Sequence, residues 1–195
     1  MRAFCDVLGI ASPIVLGVSF GGMVALAYAT RHPAHPCRLV LISTEAAGAT
    51  HRDRRVALFE RFGGPEVGAL ARRRFFEVEG QPDQASLDAW RLIARDPDLA
   101  SRAVSRSEVL HWFTRPGGES HTFNMFPNLG RIRCPTLILG GEDDPIHPIE
   151  SQADIAAALP PHLVQFERFE NCRHAVIPDA PERAMAVIRE FIARR

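Results

Sequence analysis

The sequence predicts an α/β fold: a parallel β-sheet flanked by helices on both faces. Three observations carry that expectation. Short apolar runs rich in β-branched residues recur at Ile14-Val15-Leu16, Leu39-Val40-Leu41-Ile42 and Thr136-Leu137-Ile138-Leu139, as in strands buried on both faces. Helix-forming segments alternate with them, and that alternation produces parallel sheets. The 195 residues, 46% hydrophobic and 24% charged, suffice for one domain with a sizeable core.

In chain order, residues 1–8 read as the tail of a helix. Phe4 and Leu8 lie one turn apart, and Gly9 suits a C-cap. This helix lacks an N-cap and a first turn, so the chain is expected to begin inside it. The first strand ends at Gly17, residues 20–30 form a helix of good formers and small residues, and Pro33 closes it. The second strand follows at 39–42. Segments 56–62, 67–76, 86–94 and 101–113 then read as short amphipathic helices, punctuated by Gly63-Gly64-Pro65, Gly80-Gln81-Pro82 and Pro116-Gly117-Gly118. Arg72-Arg73-Arg74 reads as a solvated helix face. After the third strand, 148–159 is helical and 164–169 alternates as a half-exposed strand does. Residues 180–192 form a closing helix, with Asp179 as its cap, Pro181 in its first turn, and Met185, Ile188, Phe191 and Ile192 as its buried stripe.

Composition excludes several function classes. Lys plus Arg equals Asp plus Glu at 23 each, so no basic surplus points to nucleic acid or an anionic membrane surface. No apolar run approaches the roughly 20 residues of a membrane span. The first residues lack the apolar core of a secretory signal, which makes the cytoplasm the expected location. Cys5, Cys37, Cys134 and Cys172 form no C-x-x-C pair, so neither a zinc site nor a thioredoxin-like motif is expected. Four reduced, mostly buried thiols are the expectation. A small-molecule or short-peptide substrate fits this composition best.

The residues with chemical promise begin with Gly17-Val18-Ser19-Phe20-Gly21, a G-x-S-x-G pattern. It follows a buried strand and opens a helix. A serine on such a turn is held in a strained conformation with its side chain projecting outward. Glycines two before and two after it, Gly17 and Gly21, are expected to relieve crowding around its Cβ. Gly22, Ala25 and Ala29 would let the helix lie close to the sheet. A serine hydroxyl is a poor nucleophile alone and needs a histidine base oriented by a carboxylate.

The strand–turn–helix around Ser19 resembles the nucleophile elbow of the α/β-hydrolase fold. That resemblance implies an acid and then a histidine later in the chain. Gly141-Glu142-Asp143-Asp144-Pro145-Ile146-His147-Pro148 resembles the family's G-x-x-D-x-x-x-P acid loop and places the acid at Asp144, with Asp143 as the rival. The segment from Asn171 to Glu182 resembles the G-H-x-x-x-x-x-x-P-E loop and places the base at His174, although Arg173 stands where glycine is usual. His147, inside the acid loop, is expected at the site mouth or in solvent. Phe20 N–H, just past the serine, is the implied oxyanion-hole donor. The family's second donor comes from a His-Gly-type loop after an earlier strand, and no such loop precedes Ser19.

The resemblance implies a partial α/β-hydrolase fold with a helical lid insertion. Residues 1–44 and 127–195 form the core and residues 45–126 the lid. The full family sheet has more strands than the four legible here, so the N-terminal third is expected to be absent, through a late start codon or a true fragment, and the chain alone to be poorly stable. Gly17 to Gly22, the segment Ala27-Tyr28-Ala29-Thr30-Arg31-His32-Pro33 and the long lid resemble the proline-iminopeptidase branch. In that branch lid carboxylates hold the substrate's amino group, a role open to Glu77 and Glu79. The expected function is hydrolysis of a small ester, amide or peptide through an acyl-enzyme on Ser19, with no metal or organic cofactor. Two alternatives stand beside it: a hydrolase-like ligand-binding protein and an inactive fragment.

Overall fold

A computed structural model gives the fold of residues 1–48, 50–76, 84–102 and 117–194, with residues 104, 106, 109, 112 and 113 between them. The chain divides into two compact units: Met1–Ala46 with Asn124–Arg195, and Ala47–Phe123. The first unit holds a four-stranded sheet in the order β1-β2-β3-β4. Its strands are β1 (Ile14–Val18), β2 (Arg38–Ile42), β3 (Thr136–Gly141) and β4 (Val164–Phe169). Every neighbouring pair is parallel, with Val18 opposite Ile42, Ile42 opposite Leu139 and Leu139 opposite Glu167. All four carboxyl ends therefore lie along one edge of the sheet.

Alternation along the strands builds two cores. On one face Val15, Leu39, Leu41 and Ile138 pack with Leu26 and Ala29 of α2 (Phe20–Arg31) and with Ile155. On the other, Val40, Ile42, Leu137, Leu139 and Phe169 pack with Ala184, Ile188 and Phe191. β1 departs from the expectation of a strand buried on both faces: Val15 and Gly17 are covered, but Ile14, Leu16 and Val18, on its other face, remain substantially exposed. The N-terminal helix α1 (Arg2–Val7) leads into Gly9, whose φ of 67° suits the left-handed conformation that glycine adopts without strain.

The second unit is helical in its described residues: α3 (Arg52–Phe76), α4 (Gln84–Leu92), α5 (Pro97–Arg102) and α6 (Glu119–Thr122). Within α3, Gly64 at φ 82° and ψ 178° breaks the helical path, and Pro65 opens the second half. The expected separation of two helices by Gly63-Gly64-Pro65 is thus realised as a kink. Arg72 and Arg73 are exposed on it, and Arg74 is half-buried. Glu77, Glu79 and the Gly80-Gln81-Pro82 punctuation lie outside the described residues. Among the described residues, no helix is long and apolar enough to cross a membrane.

The first unit closes with α7 (Phe126–Leu129), α8 (Ile149–Ala158), α9 (Val176–Asp179) and α10 (Pro181–Ala193). Two details of α10 differ from expectation. Its buried stripe is Ala184, Ile188 and Phe191, while Ile192 is exposed and Met185 only partly covered. The stripe follows i, i+4, i+7, and the small Ala184 lets the helix approach the sheet. Asp179 does not cap α10, whose N-cap is Ala180. Its carboxylate instead accepts the Arg173 N–H at 2.7 Å, a partner the local sequence does not reveal.

Candidate active site

Ser19 stands just past β1 and opens α2. Its φ is 53° and ψ −122°, a conformation costly for a residue with a Cβ. The turn is pinned on both sides. Ser19 N–H donates to the Ile42 carbonyl at 2.9 Å, and the Ser19 carbonyl accepts the Thr44 hydroxyl at 2.7 Å. The hydroxyl thereby projects from the carboxyl edge of the sheet, where open parallel sheets hold their ligands.

His174 follows β4, three strand spacings from β1, or roughly 14 Å at about 4.8 Å each. The loop after β4 must therefore fold inward across the end of β3. Asn171 makes the reversal with φ 57°, and two backbone bonds zip the loop to the one after β3: Glu142 N–H to Phe169 O and Asp143 N–H to Cys172 O, both 3.0 Å. Close passage of the loops requires a bare residue at the end of β3, and Gly141 is that residue. Arg173, where glycine was expected, is accommodated because Asn171 takes the left-handed conformation and Asp179 holds the Arg173 amide.

These loops bring three side chains together. His174 Nε2 lies 3.0 Å from Ser19 Oγ, and His174 Nδ1 lies 2.8 Å from Asp144 Oδ2. A carboxylate only accepts, so Nδ1 carries the proton and Nε2 is free to take one from the serine. Asp144 is fully buried, and its Oδ1 accepts the amides of Ile146 at 2.8 Å and His147 at 2.9 Å. Burial alone would raise its pKa. The charge and hydrogen bond of His174, with smaller contributions from His147, outweigh burial and hold the carboxyl below the usual carboxylate range. Asp143, the rival, is half-buried and spends its amide on the base loop. The arrangement can pass a proton from a hydroxyl to an imidazole whose far side faces a carboxylate.

The alpha/beta hydrolase fold, as a family profile, matches residues 1–181. The chain belongs to the α/β-hydrolase fold family. Among similar proteins, a 2-hydroxy-6-oxononadienedioate/2-hydroxy-6-oxononatrienedioate hydrolase of Comamonas testosteroni is 25% identical over 182 residues, covering 89% of this chain and 60% of the relative. A proline iminopeptidase of Lactobacillus acidophilus is 24% identical over 194 residues, covering 91% of this chain and 64% of the relative. A crystal structure of a proline iminopeptidase from Mycobacterium smegmatis superposes with a TM-score of 0.65 at 20% identity, covering 97% of this chain and 68% of that one. This α/β hydrolase thus spans about three-fifths of the length of the first two relatives.

Three features of this α/β hydrolase's site differ from the sequence reading. A Cβ at Gly21 would meet nothing within 4 Å, so crowding does not demand glycine there. Gly22 is the constrained position, since its Cβ would lie 2.5 Å from Thr44 Cβ. His147 is not at the mouth or in solvent. It is buried, with Nδ1 donating to the Ser43 carbonyl at 2.7 Å and its ring edge-on to His174, centroids 5.2 Å apart. The third feature is Ser43-Thr44-Glu45, which sequence reasoning passed over. Each of these buried residues touches a loop that carries part of the site: Thr44 the elbow, Ser43 and Glu45 the acid loop through His147. A polar tripeptide directly after a buried strand was the available signal.

Proposed function

We propose that this α/β hydrolase is a serine hydrolase in which Ser19 is the nucleophile, His174 the general base and Asp144 the residue that orients the imidazole. One observation carries the reading: the continuous path Ser19 Oγ, His174 Nε2, His174 Nδ1, Asp144 Oδ2, with both links at 3.0 Å or less. Ser19 Oγ attacks an acyl carbonyl while its proton moves to Nε2. The oxyanion faces Phe20 N–H, at the start of the 12-residue helix α2, whose dipole favours negative charge there. Collapse breaks the bond to the leaving group, which takes the proton from His174. Water, activated by the same imidazole, then releases the acid and restores Ser19.

The substrate class is a small ester, amide or short peptide. The similarity to proteins named methyl ester esterase and proline iminopeptidase supports the ester and peptide ends of that range. The test is labelling of the folded chain with a fluorophosphonate. Wild type is expected to label and Ser19→Ala to stay blank; a folded wild type that does not label overturns the reading. Hydrolysis of p-nitrophenyl esters against proline p-nitroanilide then separates esterase from aminopeptidase. Glu77→Gln and Glu79→Gln are expected to raise KM selectively for the aminoacyl substrate if these acids hold its amino group.

A further inference from the structure

His147 and Glu45 lie off the proton path, yet both are buried, at 7% and 5% exposure. Burying an imidazole and a carboxylate is costly unless each meets a partner. His147 Nδ1 is committed to the Ser43 carbonyl and so carries a proton. Nε2 then faces Glu45 Oε1 at 3.5 Å. Ser43 presents its carbonyl from a φ of 48°, in the left-handed region that residues with a Cβ rarely adopt.

His147 also touches the site at two points. Its backbone N–H is one of the two donors on Asp144 Oδ1, and its ring packs edge-on at 74° against that of His174. The remaining freedom of the His174 ring, rotation about its bonds, is what that contact limits. An aliphatic side chain would fill the same volume without the cost of a buried imidazole, but it would not tie the acid loop to the loop after β2.

We propose that His147, held by Glu45 and the Ser43 carbonyl, is a positioning residue that fixes the His174 ring and the Asp144 carboxylate in register with Ser19. This rests on the reading of Ser19 as nucleophile. Loss of the tether lets the ring drift, and a misplacement of about 1 Å costs on the order of 10²-fold in rate.

Fluorophosphonate labelling of the full chain separates positioning from mere folding. The amplitude reports the fraction folded, and the rate constant reports each folded molecule. His147→Ala is expected to slow the rate constant about 10²-fold, with Glu45→Gln slower than wild type by a smaller factor. His147→Asn, which keeps a donor toward Ser43, should recover part of the rate. The Nδ1–H resonance of His174 should broaden in His147→Ala and sharpen in His147→Asn. Reduced amplitude with an unchanged rate constant in both His147→Ala and Glu45→Gln overturns the proposal while leaving Ser19 as nucleophile. A His147→Asn rate no faster than His147→Ala overturns the part assigned to Ser43. A folded wild type that fails to label overturns the underlying reading instead.

Discussion

A side chain at Gly141 would collide with the carbonyl of Arg173: a Cβ there would stand 2.4 Å from that oxygen, and equally close to that of Cys172. The acid loop leaves β3 at this point, and the base loop crosses it on the way from β4 toward Ser19. The contact is backbone against backbone, so no flexible side chain can swing aside. Gly141→Ala should therefore destabilise the protein by about 1–3 kcal/mol, as overpacking does. It should also slow Ser19 labelling by spreading His174 from Asp144. Urea titration, read as a lower midpoint at unchanged slope, measures the first effect; the labelling rate constant measures the second.

The elbow offers a paired comparison. Gly17 is crowded by the Gly21 carbonyl oxygen, which a Cβ would meet at 2.2 Å, and Gly22 by the side chain of Thr44 at 2.5 Å, whereas space around Gly21 is open. Gly21→Ala should leave stability unchanged or raise it by up to about 1 kcal/mol, because Ala is the better helix former. Gly17→Ala and Gly22→Ala should each lower it. Thermal unfolding of the three variants side by side distinguishes them, and equal losses in all three would contradict the geometry.

The strands were legible from local apolar runs and Ser19 from its strand–turn–helix setting, whereas Asp144 and His174 were placed only by the resemblance of their loops to those of the α/β-hydrolase family; the structure brings the three side chains together. The apolar runs of β2 and β3 are covered on both faces as such runs predict, while that of β1 is covered on one face only. The pieces that were not legible depend on partners far along the chain. Nothing near Thr44 indicates that its hydroxyl reaches Ser19 O, nor that Gln152 donates to Thr44 O at 2.6 Å from 108 residues away. His147 looked like a loop histidine because its partners, Ser43 and Glu45, lie on another strand's loop. Asp179 is the exception: it reads as a helix cap because that is its commonest use, but its carboxylate turns back six residues to the Arg173 amide within the same loop.

Thr44 therefore supplies a direct test of non-local support for the elbow. Thr44→Val keeps the volume and removes the hydroxyl that binds Ser19 O. The carbonyl still accepts Gly22 N–H at 2.8 Å, so it is not left unpaired. The expected loss is about 1 kcal/mol, the net worth of one buried hydrogen bond. Chemical denaturation measures it, and a loss beyond about 3 kcal/mol would mean that Thr44 does more than close this turn.

Asp144→Asn separates the charge of the acid from its shape. Asp144 Oδ1 accepts two backbone amides, so the carbonyl oxygen of an asparagine must occupy that place. Its NH₂ group then faces His174 Nδ1, which must become an acceptor and move its proton to Nε2. A protonated Nε2 cannot take the proton of Ser19, and hydrolysis at neutral pH should fall by roughly 10⁴-fold. The same variant reports on acid stability. Because the folded pKa of Asp144 is depressed, its ionised form stabilises the fold fully above the unfolded carboxylate value of about 3.9. That contribution disappears as pH falls through the lower folded value. Unfolding free energy measured against pH should therefore drop more steeply on the acid side in wild type than in Asp144→Asn. Parallel acid limbs in the two proteins would show that the buried carboxylate is not held in its charged form by His174.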